Sequence, residues 1–260
     1  MRVYALTISR KGICHYTSGL VTALAKYCDA TMISPAGTAE YIEPPAKVIE
    51  IDYPFHRWDP RFLLKLGEAA SIIRRGRPDI VHIQDLHPVL CLLIPLLGRT
   101  RLVQTLHDVQ AHVGEELWYS RSTRELVVKH SAALIVHGES LKEQFARHYP
   151  GYAEKVYVAP HGSNTMFLKW GDAEVREEKR ILFFGRIYDY KGLDVLLRAA
   201  PSIHRALPEH KITVAGTGDL TKYAPMLEEC REYVEVDNRQ VPDEEIPGYF
   251  RRSQMVAMPY

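Results

Sequence analysis

Two cations lie in a short turn that joins an apolar run to an amphipathic segment. Ile181–Phe184 is typical of a buried strand, Gly185 ends it, and a helix is predicted to begin near Leu193. Arg186 and Lys191 fall between the two elements. In open parallel sheets, ligands bind at the carboxyl ends of the strands, where a helix N-terminus also favours an anion. Two cationic side chains in such a turn predict a phosphate-binding site.

A second group of residues consists of metal-ligand types. Histidine and carboxylate side chains lie near the ends of two predicted neighbouring strands. They are His82, Asp85, His87, His107, Asp108 and His112. Their spacing matches no zinc or dinuclear signature, so we expect no bound metal, and a metal-dependent hydrolase is an alternative that a metal assay would test.

The elements that must position these residues alternate between short apolar runs and longer amphipathic ones. This alternation predicts parallel α/β sheets with helices on both faces, because the strands are apolar without strict alternation. A polar stretch, residues 169–180, is interpreted as a linker. We therefore expect two α/β domains, residues 1–168 and 181–260, that enclose a ligand cleft. In the first domain, Pro88–Leu97 is predicted to be a buried helix.

Composition and charge exclude several classes of protein. The 260 residues are 46% hydrophobic and carry a net charge of +1, which gives no reason to expect a nucleic-acid partner. The four cysteines form no close-spaced pair, so no disulfide framework is expected. The longest apolar run, Val89–Leu97, is far shorter than the roughly 20 residues of a spanning helix. No signal-peptide pattern precedes the first strand, and we expect a cytoplasmic protein.

Several short motifs, spread over nearly the whole chain, resemble those of one enzyme family. They are Gly12-Ile13, Thr105-Leu106-His107-Asp108, Pro160-His161-Gly162-Ser163-Asn164, Phe184-Gly185-Arg186, Lys191-Gly192-Leu193-Asp194, Val214-Ala215-Gly216-Thr217-Gly218 and Val241-Pro242. In this order and spacing they are similar to the retaining, nucleotide-sugar-dependent glycosyltransferases of family 4. The resemblance implies the GT-B fold, in which two Rossmann-like domains face a cleft, with the second domain incomplete here.

The resemblance also implies how a donor would be bound. Gly12, Arg186 and Lys191 would bind the donor phosphates, and Gly216 and Val241 would bind the nucleotide. The donor would be a nucleotide-diphosphate sugar, such as one used in polysaccharide biosynthesis. No cofactor or metal is expected, because two cations can neutralise the charge that builds on the departing diphosphate.

On the acceptor side, the resemblance makes His107 the candidate catalytic residue. It would contact the transferred sugar or help to position the acceptor. The acceptor would be a glycan or a lipid-linked molecule, and Asp108 and Glu115 are candidate acceptor-side residues. Pro60–Arg77 combines cationic and apolar residues, which suits either an ordinary surface helix or peripheral contact with the inner face of the membrane.

The sequence departs from the family pattern in two places. Lys11 precedes Gly12, where the family usually has paired glycines. The sequence ends at Tyr260, where the family continues into a glycine-rich loop and a helix that carries two glutamates. We therefore weigh a truncated product, a fragment, a split enzyme completed by a second chain, and a non-catalytic module that binds nucleotide. The strand Met255–Met258 is expected to expose an apolar face.

Overall fold

The computed structural model describes residues 1–54, 56, 59–110, 120–171 and 178–259. The chain divides into two compact units, Met1–Met166 and Phe167–Tyr260. Each unit is built on a parallel sheet, which confirms the predicted fold class. Part of the predicted linker, residues 172–177, lies outside the described residues.

The first unit contains a seven-stranded parallel sheet in the order β3-β2-β1-β4-β5-β6-β7. Its strands are β1 (Arg2–Leu6), β2 (Asp29–Pro35), β3 (Lys47–Ile51), β4 (Ile80–Ile83), β5 (Arg101–Thr105), β6 (Ala133–Val136) and β7 (Val156–Val158). The α-helices of its described part are α1 (Ile13–Leu24), α2 (Arg61–Gly76), α3 (Pro88–Cys91), α4 (Ser120–His130) and α5 (Glu139–His148). Shorter 3₁₀ helices span Ala39–Tyr41, Ile94–Leu96, Pro150–Lys155 and, across the boundary of the two units, Thr165–Trp170.

The strand order places a topological switch point between β1 and β4, because the chain runs outward from β1 in both directions. In open parallel sheets, ligand sites form beyond the carboxyl ends of strands at such a point. The strands contribute fully buried residues such as Leu6, Ile33 and Val81 to the core, and α2 covers them with Phe62 and Ile73. This burial fixes the register of the strands that carry the loops of the site.

The prediction of one buried helix over Pro88–Leu97 is wrong. Only Pro88–Cys91 is α-helical, and a 3₁₀ helix follows at Ile94–Leu96. Pro95 has no N–H to continue an α-helical hydrogen-bond pattern. Leu92 and Leu96 are exposed, so this apolar run is only partly buried.

The second unit contains a four-stranded parallel sheet in the order β10-β9-β8-β11. Its elements are β8 (Glu178–Phe184), α6 (Leu193–Ala206), β9 (Lys211–Ala215), α7 (Ala224–Glu229), β10 (Val234–Asp237), α8 (Ile246–Arg252) and β11 (Ser253–Val256), with 3₁₀ helices at Asp189–Lys191 and Thr221–Tyr223. On the edge strand β11, Met255 and Val256 are 42% and 45% exposed. Among the described residues of both units, no helix combines the length and apolarity needed to cross a membrane.

Candidate functional site

Two glycine turns interlock at the carboxyl edge of the second sheet. Gly185 follows β8 with φ 126°, and Gly216 follows β9 with φ 141°. A Cβ atom on Gly216 would overlap the carbonyl oxygen of Gly185, so this position requires glycine for space as well as for conformation. The Gly185 N–H donates to the carbonyl oxygen of Ala215 at 3.0 Å, and the Gly216 N–H donates to the backbone carbonyl oxygen of Asp237 at 3.0 Å. These bonds extend the sheet into the turns and hold their backbone in place.

The predicted phosphate-binding cations sit on tyrosine rings beside these turns. The Arg186 guanidinium lies 4.8 Å from the centroid of the Tyr188 ring, and Lys191 Nζ lies 5.2 Å from that of Tyr190. The two tyrosine rings stack at 6.0 Å with an interplanar angle of 23°. Arg186 is exposed and Lys191 is half-buried. Each ring therefore supports one of the two cations beside the glycine turns.

Sequence reasoning missed the tyrosines and also missed Asn238, which holds the second glycine turn. The Asn238 amide donates to the Gly218 carbonyl at 3.0 Å, and its Oδ1 accepts from the Gly218 N–H at 3.1 Å. Gly218 also pairs with Ile187 through an isolated parallel bridge. The only signal in the sequence is that Asn238 directly follows a strand, which does not by itself indicate a contact with the neighbouring turn.

The candidate nucleotide-binding residue Val241 is buried beyond the end of β10. It neighbours a polar network in which Arg239 donates to Asp237 at 3.0 Å and to Glu245 at 3.1 Å. The Tyr249 hydroxyl also donates to Asp237 and holds the pKa of that carboxyl below its usual range. The loop that carries Val241 is therefore cross-linked to α8.

A cavity of about 450 Å³ lies beside this network. Its lining residues are Trp170, Arg180, Arg239, Glu244, Glu245, Pro247, Gly248, Tyr249, Arg251 and Arg252. Neither Arg186 nor Lys191 lines it. The cavity is therefore separate from the turn that carries these two cations.

In the first unit, Asp85 fixes the loop that leads from β1 to α1. Its carboxylate accepts hydrogen bonds from Thr7 Oγ1 at 2.7 Å, from the Ile8 N–H at 2.8 Å and from Ser9 Oγ. Asp85 is buried, and it follows β4, the strand next to β1. The loop continues to Gly12, which has φ 55° and precedes the first residue of α1 without a side-chain cap. Asp85 thus holds this loop through its hydrogen bonds.

The candidate catalytic residue His107 lies two residues beyond β5 and belongs to a histidine cluster. Its Nδ1 is 3.2 Å from Nε2 of His137, and its Nε2 is buried without a hydrogen-bond partner in the described part of the chain. Burial, with the charge of His137 as a second cause, lowers the pKa of His107 to about 4. Burial also lowers the pKa of His137. His107 is therefore neutral at pH 7.

The other candidate residues that the structure describes are not members of this histidine cluster. His82 is buried within β4, where its Nε2 lies 2.8 Å from Thr105 Oγ1. Burial lowers the pKa of His82 to about 4. Asp108 is exposed. Glu115 and His112 lie outside the described residues.

Comparison with known families identifies the chain. The model described as Glycosyltransferase Family 4 matches residues 11–167, and the model described as Glycosyl transferases group 1 matches residues 178–260. The chain belongs to Glycosyltransferase Family 4. The first match contains the Gly12 loop and the histidine cluster, and the second contains the glycine turns and both cations.

Curated relatives include two mannosyltransferases. The chain is 24% identical to the GDP-mannose-dependent alpha-(1-6)-phosphatidylinositol monomannoside mannosyltransferase of Mycolicibacterium smegmatis, over 96% of this chain and 69% of that protein. It is 26% identical to the phosphatidyl-myo-inositol mannosyltransferase of Propionibacterium freudenreichii, over 59% of this chain and 42% of that protein. The chain thus spans between two fifths and seven tenths of the length of these two relatives.

Solved structures share the fold at low sequence identity. HepE from Anabaena, in complex with UDP and glucose, has a TM-score of 0.69 at 16% identity, over 99% of this chain and 74% of that one. The UDP-GlcNAc 2-epimerase of Neisseria meningitidis, bound to UDP-GlcNAc, has a TM-score of 0.67 at 10% identity, over 98% of this chain and 76% of that one. These likenesses establish the architecture of the chain.

Proposed function

We propose that this chain is a glycosyltransferase that moves a sugar from a nucleotide-diphosphate sugar to a glycan or lipid-linked acceptor, with retention of anomeric configuration. The observation that carries the proposal is the pair of tyrosine-supported cations, Arg186 and Lys191, beside two interlocked glycine turns. Family membership supports the reaction class. The mannosyltransferase that uses GDP-mannose and the UDP-bound HepE support a nucleotide-sugar donor.

The chemistry of transfer explains why cations are needed at this turn. As the glycosidic bond breaks, the sugar gains positive character and negative charge builds on the diphosphate. Arg186 and Lys191 would bind the departing diphosphate more strongly than the intact donor, which lowers the barrier. Two fixed cations supply the stabilisation that a metal ion supplies in other phosphate-transfer sites, so this step is proposed to need neither metal nor cofactor.

In the first unit, we assign His107 to the transferred sugar or the acceptor. A neutral imidazole has one N–H donor and one acceptor nitrogen, which suits contact with sugar hydroxyls. Gly12, in the loop that Asp85 holds, is assigned to the donor phosphates. Asp108 and Glu115 are assigned to the acceptor side, and Gly216 and Val241 to the nucleotide.

The experiment that tests this function is a calorimetric titration of the chain with UDP, GDP and ADP, with and without magnesium. Saturable binding of one nucleotide that does not depend on magnesium is the expected result. The corresponding nucleotide sugar and a lipid-linked acceptor would then be mixed with the chain, and NMR would report whether the product keeps the anomeric configuration of the donor. A folded chain that binds none of the three nucleotides would contradict the donor site.

For a lipid-linked acceptor, we propose peripheral membrane contact through α2. Leu63 and Leu64 on this helix are 54% and 74% exposed, and Arg74 and Arg75 near its end are exposed. Apolar and cationic side chains on one helix favour binding to an anionic bilayer surface. Sedimentation with anionic vesicles should carry the wild-type chain, and should carry less of a Leu63→Ser, Leu64→Ser variant. Equal sedimentation of the two would exclude α2 as the contact.

A further inference from the structure

Three neighbouring strands of the first sheet each carry a histidine beyond their carboxyl end. His107 follows β5 by two residues, His137 directly follows β6, and His161 follows β7 by three residues. The three strands are parallel and adjacent, so their ends meet at one edge of the sheet. One ligand nitrogen from each histidine lies within 4.8 Å of the other two.

Hydrogen bonds to carbonyl oxygens fix the tautomer of two of these rings. His137 Nδ1 is 3.0 Å from the Ala159 carbonyl oxygen, and His161 Nδ1 is 2.7 Å from that of Gly162. A carbonyl oxygen only accepts, so Nδ1 carries the proton in both rings and Nε2 keeps its lone pair in the neutral form. Metal-binding histidines are typically oriented in this way, with one ring nitrogen donating to a carbonyl and the other ligating.

The spacing of His107 and His137 already suits two ligands of one ion. Their facing nitrogens, Nδ1 and Nε2, are 3.2 Å apart. Two nitrogens that each lie about 2.0–2.1 Å from a tetrahedral zinc ion are separated by about 3.3–3.4 Å. His107 Nε2 is buried without a hydrogen-bond partner among the described residues. In the metal-free chain the His107 Nδ1–H donates to His137 Nε2, so ligation through His107 Nδ1 would move this proton to His107 Nε2.

One aromatic ring and two carboxylates lie around the cluster. The Tyr16 ring packs against all three histidines, with centroids 5.1, 5.0 and 4.8 Å away, and limits their movement. The carboxylates of Asp85 and Asp108 act to raise the pKa of His107 and of His137, respectively, but burial lowers both pKa values by more. His161 is exposed, which leaves a path for an ion to enter.

We propose that His107, His137 and His161 form a binding site for a divalent first-row transition metal, with Zn²⁺ as the reference ion. Three neutral imidazoles are a donor set that such ions prefer, and three protein ligands leave a fourth position for water or a substrate oxygen. The site shares only His107 with the residues that the sequence suggested as metal ligands. It also differs in place and role from the cations assigned to the donor phosphates.

The test is metal binding by the whole chain after treatment with a chelator and its removal. Co²⁺ is added first, because its visible absorption reports tetrahedral nitrogen ligation, and Zn²⁺ is then used to displace it. One equivalent should bind, and His137→Ala and His161→Ala should each weaken binding by at least about 10-fold. His130→Ala, which changes an exposed histidine outside the cluster, should bind as the wild type does.

Absence of saturable Co²⁺ or Zn²⁺ binding by the folded chain would overturn the proposal. Equal affinity of the wild type, His137→Ala and His161→Ala would overturn it as well. Circular dichroism confirms that each variant folds. His161→Ala is expected to fold, because the His161 ring is exposed and its removal leaves no cavity in the core. The nucleotide titration does not involve these histidines, so failure of the metal site and failure of the proposed transferase function are distinguishable.

A consequence for transfer rests on the proposed function. An ion bound to His107 would withhold this side chain from the sugar, so Zn²⁺ should inhibit transfer and a chelator should restore it. His161→Ala should relieve this inhibition, because it removes a ligand while leaving His107 in place. If Zn²⁺ inhibits His161→Ala as strongly as it inhibits the wild type, the inhibition does not arise from this cluster.

Discussion

The carbonyl oxygen of Gly185 occupies the space that a side chain at Gly216 would need. The contact joins the turn after β8 to the turn after β9, and it places the backbone of both beside Arg186. The two turns therefore pack against each other, and a substitution in either turn should alter the conformation of the other.

Gly216→Ala should lower the free energy of unfolding of the second unit. The residue has φ 141° and its Cβ would overlap backbone, so we expect a loss of about 2–4 kcal/mol from strain and overpacking together. Urea unfolding followed by circular dichroism measures it. Gly248→Ala is the matched control, since a Cβ there meets no atom within 4 Å and the position is helical. A Gly216→Ala variant as stable as the control would contradict the interlocked turns.

Arg186→Ala and Lys191→Ala should each weaken nucleoside-diphosphate binding. Loss of a charge-assisted hydrogen bond costs about 1.5–3 kcal/mol, which corresponds to roughly a 10- to 150-fold rise in Kd. Isothermal titration with the nucleotide that the wild type binds is the measurement. Arg231→Ala serves as the control, because Arg231 forms an exposed ion pair with Glu228 on the surface of the second unit. An unchanged Kd in both variants would contradict the assignment of these two cations to the phosphates.

Tyr188→Leu tests whether the ring, and not only the charge, prepares the site. The substitution keeps Arg186 but removes the face on which the guanidinium rests. An exposed cation–π contact is worth about 0.5–1 kcal/mol, so Kd should rise by roughly 2- to 5-fold, less than in Arg186→Ala. The same titration measures it. An unchanged Kd would mean that Tyr188 does not help to position Arg186.

Asp85→Asn should loosen the loop between β1 and α1. An amide replaces a carboxylate that accepts from Thr7, Ile8 and Ser9, and we expect a loss of about 1.5–3 kcal/mol. Hydrogen exchange of the Ile8 N–H should accelerate, and urea unfolding should report the loss of stability. Asp79→Asn is the control, because Asp79 accepts from the exposed Arg2 N–H at 2.7 Å. This substitution should lower the free energy of unfolding by less than Asp85→Asn does. Unchanged exchange at Ile8 would show that Asp85 does not hold the loop.

His82 should make the first unit less stable as the pH falls. Its folded-state pKa of about 4 lies below the ordinary value of 6.5, so the unfolded chain takes up a proton first. The contribution of His82 is therefore complete above pH 6.5 and is lost as the pH falls toward 4, by up to about 3 kcal/mol. Urea unfolding at pH 7, 6 and 5, with chelator present, should show a weaker pH dependence in His82→Gln than in the wild type. The same pH dependence of stability in His82→Gln and in the wild type would contradict the lowered pKa of His82.

Local sequence determined the α/β pattern and the place of the two cations. Apolar runs such as Ile181–Phe184 form parallel strands because both faces of each strand are buried, and this pattern is visible within a few residues. Arg186 and Lys191 could be assigned to a strand-to-helix turn because both neighbours lie close in sequence. Their support on Tyr188 and Tyr190 could not be assigned, because ring orientation depends on the path of the folded turn.

Only the tertiary structure decided which distant residues meet. Strand order places β4 beside β1, and Asp85 therefore reaches Thr7, 78 residues away. It also places β5, β6 and β7 side by side, which gathers His107, His137 and His161 from positions 30 and 24 residues apart in the chain. The sequence suggested a different histidine group, because the ends of two strands could be predicted from apolar runs but the direction of each side chain could not. Sheet register and packing set that direction, and so they decided that His82 is buried against Thr105 while His107 faces His137.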